Sequence, residues 1–144
     1  MYHPSNVSEY ELARVLLVDD DPTARLTLKT VLEAGGYKVD AAASAAEAGG
    51  KLDEGEYELV LSDLQMESPE AGLKVLAHAR MMDYKPATAL VTSYQDGRPG
   101  LDRHPRSLLI NPQDIPELLG KVADLISLRA TRRVQRELRM AGVG

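Results

Sequence analysis

The sequence predicts an α/β domain, a doubly wound sheet of five parallel strands with helices on both faces. Two observations predict it. Short apolar runs of strand length alternate about five times with segments of helical period, and that alternation calls for a parallel sheet covered on both sides. The chain has 144 residues, which fits one domain, and its 44% apolar and 27% charged shares are ordinary for a soluble globular protein.

The elements follow in order. "RVLLV" (Arg14 to Val18) reads as a buried strand. Asp21 suits the N-cap of the next segment and Pro22 its first helical position. Leu28, Val31, Leu32 and Gly35 share one face of that helix, and Gly35 and Gly36 stop it. "YKVDAAA" (Tyr37 to Ala43) is a weaker strand. Ser44 and Glu47 form an S-x-x-E capping box that announces a second helix. Gly49 and Gly50 each cost that helix roughly 1 kcal/mol against Ala, which makes it the weakest. "YELVLS" (Tyr57 to Ser62) is the third strand and leads into Asp63. A third helix is expected over Glu70 to Asp83, with Leu73, Leu76, Ala77 and Arg80 at helical spacing. "ATALVTS" (Ala87 to Ser93) and "SLLI" (Ser107 to Ile110) are the fourth and fifth strands. The last helix starts near Ile115 and carries a stripe of Ile115, Leu118, Leu119, Val122, Leu125 and Ile126.

Composition removes several function classes. There is no cysteine, so disulfides, thiolate metal sites and thiol nucleophiles are excluded. Trp and Phe are absent, so the core must be aliphatic. No apolar run approaches the roughly 20 residues of a membrane span. The opening "MYHPSNVSEYE" has neither a basic start nor an apolar stretch, so no secretory signal is expected and a cytoplasmic location is. Charge is uneven. Residues 129–144 carry five Arg and one Glu, a net of +4, while the preceding 128 carry a net of −9. An acidic body is a poor nucleic-acid binder, because phosphate contacts need Lys and Arg.

In a parallel sheet of this kind ligands bind beyond the carboxyl ends of the strands. The polar residues there are Asp19 to Asp21, Asp63, Thr92 with Ser93, and Asn111. One acid after a strand reads as a helix cap, and Asp21 before Pro22 fits that role. Three adjacent acids plus Asp63 need more. Carboxylates brought together raise one another's pKa unless a cation is present. A hard divalent ion such as Mg²⁺, held by one or two carboxylates with waters and phosphate oxygens, fits the group. The cluster therefore suits metal-assisted phosphoryl transfer.

"VLLVDDDP", "LVLSDLQM" and "LVTS", in this order and at these spacings, resemble the receiver domain of two-component response regulators. The likeness covers roughly Arg14 to Leu128. It implies a flavodoxin-like fold and a signalling module rather than an enzyme. By position, it implies that Asp63 takes a phosphoryl group from a histidine kinase or phosphotransfer protein. It implies that Asp20 binds Mg²⁺ directly, that Asp19 acts mostly through metal-bound water, and that the backbone carbonyl of Gln65 adds a ligand. Thr92 matches the hydroxyl that contacts the phosphoryl oxygens.

Three departures from the family pattern bear on output. Asn111 stands before Pro112 where receivers carry a lysine, so a neutral amide replaces a charge. Leu108 stands where an aromatic residue is usual, so the aromatic-to-threonine coupling is missing in its usual form. The stretch "SYQDGRPGLDRHPRS" is short and rich in Gly and Pro, which predicts a stunted or missing fourth helix there. The loop after Asp63 is altered too: Met66 is followed by Glu67, with Pro69 and Gly72 displaced. Phosphorylation chemistry is spared and readout is atypical.

Two other readings compete. Asp19-Asp20-Asp21-Pro22-Thr23 also satisfies the D-x-D-x-T opening of haloacid-dehalogenase-like phosphatases, with Asp19 as nucleophile and Asp21 as acid/base. That reading lacks the later lysine and acid pair. A phosphorylation-independent, receiver-like interaction module is the second. Residues 1–13 read as an N-terminal extension, 14–128 as the receiver, and 129–144 as a basic helical extension or tail. "RATRRVQRELRM" (Arg129 to Met140) would carry a thin apolar line of Leu128, Val134 and Leu138, which suits a homodimer contact. Membrane contact is not expected.

Overall fold

A computed structural model of the protein describes residues 13–63, 66, 68, 70–91, 108–110 and 115–142. Within them lie strands β1 (Arg14–Val18), β2 (Lys38–Ala42), β3 (Leu59–Asp63), β4 (Ala87–Val91) and β5 (Leu108–Ile110). The helices among the described residues are α1 (Pro22–Ala34), α2 (Ala45–Glu54), α3 (Ala71–Arg80) and α4 (Ile115–Met140). The strands pair in parallel in the order β2-β1-β3-β4-β5.

Side-chain alternation along the strands divides the core in two. Leu16 and Val18 of β1, Val60 of β3 and Leu90 of β4 pack under α2 and α3, against Leu52, Val75, Leu76 and Ala79. Val15, Leu17, Leu59, Leu61, Ala89 and Val91 point the other way, against Leu28 and Leu32 of α1 and Leu118 and Val122 of α4. A strand covered on both faces has no solvent side, which is why β1 and β3 are continuous apolar runs. One aromatic residue, Tyr57, joins the aliphatic core at 3% exposure.

Helix starts obey the local signals. Asp21 is the N-cap of α1, its carboxylate accepting from the Thr23 amide at 3.2 Å, with Pro22 in the first turn. The helix ends where the Gly35 amide donates to Val31 and Leu32, and Gly36 adopts φ 99°, a left-handed conformation that favours glycine. Ser44 Oγ accepts from the Glu47 amide at 3.1 Å. The Glu47 carboxylate reaches back to the Ala43 amide at 2.6 Å, one residue before the cap. α2 runs unbroken through Gly49 and Gly50.

Three expectations need correction. β3 begins at Leu59 and includes Asp63, so it is shifted from Tyr57–Ser62 toward the acid. The buried stripe of α3 is Ala71, Gly72, Val75, Leu76 and Ala79; Ala77 and Arg80 are exposed and Leu73 only half-buried. Small residues share the sheet-facing side with Val75 and Leu76, so of the expected positions only Leu76 is fully buried. α3 is also shorter than the expected Glu70 to Asp83.

The order of the strands places the switch point between β1 and β3, since the chain moves outward from β1 to β2 and then crosses to the other side. At the opposite edge of the sheet, α4 leaves the body. Arg129 donates to the backbone carbonyls of Lys85 at 3.0 Å and Tyr84 at 2.6 Å, and so ties the α3–β4 loop to α4. That loop holds Lys85 at φ 45°, uncommon for a non-glycine residue. None of the described helices is long and apolar enough to cross a membrane.

Candidate functional site

The carboxyl ends of β1 and β3 bring three acids together. The Asp19 amide donates to the Ala42 carbonyl at 3.0 Å, which continues the β1–β2 ladder by one residue and buries Asp19 to 4% exposure. Asp20 follows in solvent, and Asp63 ends β3 half-buried. One carboxylate oxygen from each of Asp19, Asp20 and Asp63 lies within 4.8 Å of the others. Asp21 is not part of this group, because its side chain caps α1.

Asp19 is held from both ends. Its Oδ1 accepts from the Asp21 amide at 2.9 Å, and its backbone carbonyl accepts from Arg25 Nη1 at 2.9 Å. Burial raises its carboxyl above the usual aspartate value, and the negative charges of Asp20 and Asp21 add to this. The Asp21 amide and a side-chain hydrogen bond shared with Asp63 pull the other way. Gathering three acids here therefore has an electrostatic cost. Their oxygens are the hard donors that Mg²⁺ takes, and a divalent ion would offset that cost. The donor set fits such an ion.

Gly72 positions Asp63 from below. A Cβ built on Gly72 would meet the Asp63 carbonyl oxygen at 2.6 Å and Ser62 Oγ at 3.4 Å. The first turn of α3 thus packs directly on the strand end that carries the acid. Sequence reasoning did not place Gly72 or Arg25 at the site. The available signals were a glycine opening an apolar helix and a basic residue one turn after three acids. Of the expected site residues, Asp19, Asp20 and Asp63 converge. Gln65, Thr92 and Asn111 lie outside the described residues.

Comparison with known proteins accords with this geometry. The family model for the response regulator receiver domain matches residues 15–121. A gliding motility regulatory protein of Myxococcus xanthus is 33% identical over 122 residues, covering 79% of this chain and 15% of that protein. An uncharacterized transcriptional regulatory protein of Bacillus subtilis, YkoG, is 30% identical over 125 residues, covering 85% of this chain and 54% of that protein. The chain therefore spans about half or less of the length of these curated relatives. Among solved structures, the response regulator protein TrrA from Thermotoga maritima, in complex with Mg(2+)-BeF, is 32% identical. It matches with a TM-score of 0.68 over 79% of this chain and 99% of its own. The fold, the acid cluster at the switch point and these matches agree that the chain belongs to the response regulator receiver domain family.

Proposed function

We propose that the chain is a phosphoacceptor receiver in which Asp63 takes a phosphoryl group from a histidine kinase or phosphotransfer protein. One observation carries the reading: Asp63 ends β3 with its carboxylate within 4.8 Å of Asp19 and Asp20. In the transfer an Asp63 oxygen bonds to phosphorus as the phosphorus–nitrogen bond to the donor histidine breaks, and the imidazole recovers its proton. Asp19, Asp20, Asp63 and the Gln65 carbonyl would hold Mg²⁺, which screens the charge on the transferring group. Asp63 is more open than Asp19, which suits it to meet a donor. Asp19 is buried and Asp21 caps α1, so both are poorly placed for the nucleophile and acid/base roles of a dehalogenase-like phosphatase.

Thr92 and Asn111 would face the phosphoryl oxygens. A neutral amide at 111 supplies a weaker hydrogen bond than a charge-assisted one, by about a factor of two. Phosphate then discriminates less between two states, and a ligand shifts an equilibrium only by its differential affinity. Output is accordingly atypical. The receiver spans 14–128 in this reading, preceded by an extension over 1–13 and followed by a basic extension over 129–144, helical as far as Met140. Val134 and Leu138, 54% and 47% exposed, offer a second copy an apolar line.

Incubation with acetyl phosphate and Mg²⁺, followed by intact-mass measurement, tests the proposal. One added phosphoryl group is expected, and none on Asp63→Asn. Labelling that persists in Asp63→Asn would place the nucleophile elsewhere. An unlabelled wild type would favour the phosphate-independent interaction module, the reading that Asn111 supports.

A further inference from the structure

A second concave surface lies at the end of the sheet opposite the acid cluster. A groove of about 1020 Å³ runs between the α3–β4 loop and the C-terminal half of α4. Its walls carry seven basic and three acidic side chains, and Pro86, Leu125 and Leu128 contribute apolar surface. Four of the seven basic side chains form one helical stripe. Arg129, Arg132, Arg133 and Arg136 stand at i, i+3, i+4 and i+7, so they share a face of α4. That face is the continuation of Leu118, Val122 and Leu125, which cover the sheet. The stripe changes from aliphatic to arginine where the helix passes the sheet edge, and there it has nothing of the sheet beneath it.

The arginines do not all serve the fold. Arg129 ties down the loop. Arg133 lies 3.4 Å from Glu137. Arg132 and Arg136 are exposed, and no ion pair holds either among the described residues. A guanidinium offers a planar fork of donors that matches a carboxylate in bidentate geometry. Arg132 and Arg136 are one turn apart, about 6 Å along the axis, the spacing at which two carboxylates of one segment could be held.

We propose that this groove docks a short acidic segment of a partner protein, with carboxylates on Arg132 and Arg136 and an apolar side chain against Leu125 and Leu128. Charge complementarity selects an acidic occupant, and the composition of the walls selects a peptide over nucleic acid. Glu56, Asp83 and Asp124 line the same groove and would repel a closely spaced phosphate backbone. The chain preceding residue 129 carries a net of −9, which adds to that repulsion. A peptide can set its charges apart and use the apolar surface between them.

Fluorescence anisotropy with a fluorescein-labelled peptide of repeating Glu-Glu-Leu measures the interaction on the full chain. The wild type is expected to bind, more weakly as salt is raised. Arg132→Glu combined with Arg136→Glu should weaken binding by roughly 10–100-fold. The milder pair Arg132→Gln with Arg136→Gln should lie between, with unchanged far-UV circular dichroism in both. Asp63→Asn should bind as the wild type does, which separates this site from the phosphoacceptor reading. A wild type that does not bind, or an Arg132→Glu/Arg136→Glu protein that binds equally well, overturns the proposal. Displacement of the peptide by duplex DNA at equal charge concentration overturns it too, and would assign the face to nucleic acid.

Discussion

The two ends of the sheet concentrate opposite charges by different means. At the carboxyl ends, Asp19 and Asp20 follow β1 and Asp63 ends β3, 44 positions after Asp19, and they meet only because β1 and β3 are neighbours. At the other end, Arg129 to Arg136 come from one helix and align by its period alone. The first arrangement depends on the whole packed core. The second depends on a helix already anchored at Leu118 and Val122. The acid cluster should therefore be sensitive to distant packing changes, and the arginine stripe should tolerate substitutions around it.

The largest expected contrast lies within α4 itself. Leu118 is fully buried and Leu138 is 47% exposed. Leu118→Ala should cost about 2–5 kcal/mol, whereas Leu138→Ala should fall within about 0.5 kcal/mol of the wild type, both read from urea unfolding midpoints. Equal losses would show that the overhang folds as part of the core. A somewhat smaller effect should follow Mg²⁺. If it binds the acid cluster, stability should rise by about 2.7 kcal/mol at roughly 100 times its Kd. Asp20→Asn should raise the melting temperature without the ion and blunt the response to it. A response unchanged by that substitution would move the ion elsewhere.

Gly72→Ala comes next, at about 1–3 kcal/mol, because the new methyl group meets the Asp63 carbonyl at 2.6 Å. It should also slow acetyl phosphate labelling, since the strand end must shift. Normal labelling with lost stability would mean that the acid tolerates the displacement. The smallest effect concerns Asp40, near the start of the sheet. Burial alone would raise its carboxyl, but hydrogen bonds from Tyr57 at 2.8 Å and Arg14 at 3.0 Å, with the Arg14 charge, hold it below the usual aspartate range. The folded state therefore binds this proton less readily than the unfolded chain. Its contribution is complete above the ordinary value of 3.8 and disappears as pH falls through the lower folded value. The stability gap between wild type and Asp40→Asn should close on acidification. A gap that persists in acid would trace to packing rather than charge.

The same contrast explains what could be read from the chain. Helix caps at Asp21 and Ser44, the apolar runs of β1 and β3 and the basic charge of the last segment are local patterns, and local patterns survive in one dimension. That Asp63 and Asp19 lie on one side of the sheet was legible from their places after parallel strands, but spacing along the chain does not say which strands are neighbours, and the resemblance of three motifs was needed to bring the two acids together. The buried face of α3 was read only in part, at Leu76, because Ala71, Gly72 and Ala79 are small. Their value lies in the close approach they allow, and hydrophobic bulk does not register it. Arg25 was passed over for a related reason: its partner is the Asp19 backbone carbonyl, which every residue possesses.

The unbroken course of α4 past the sheet edge has a mechanical consequence. A continuous helix transmits rotation as a rod does. Arg129 is tied to the α3–β4 loop, and Met140 lies about 16 Å further along the axis. A tilt of about 10° at the tied end sweeps the free end through roughly 3 Å at that length. Displacements too small to rearrange the core are thus magnified where the last arginines stand, and the helix is a lever whose fulcrum is the Arg129 contact.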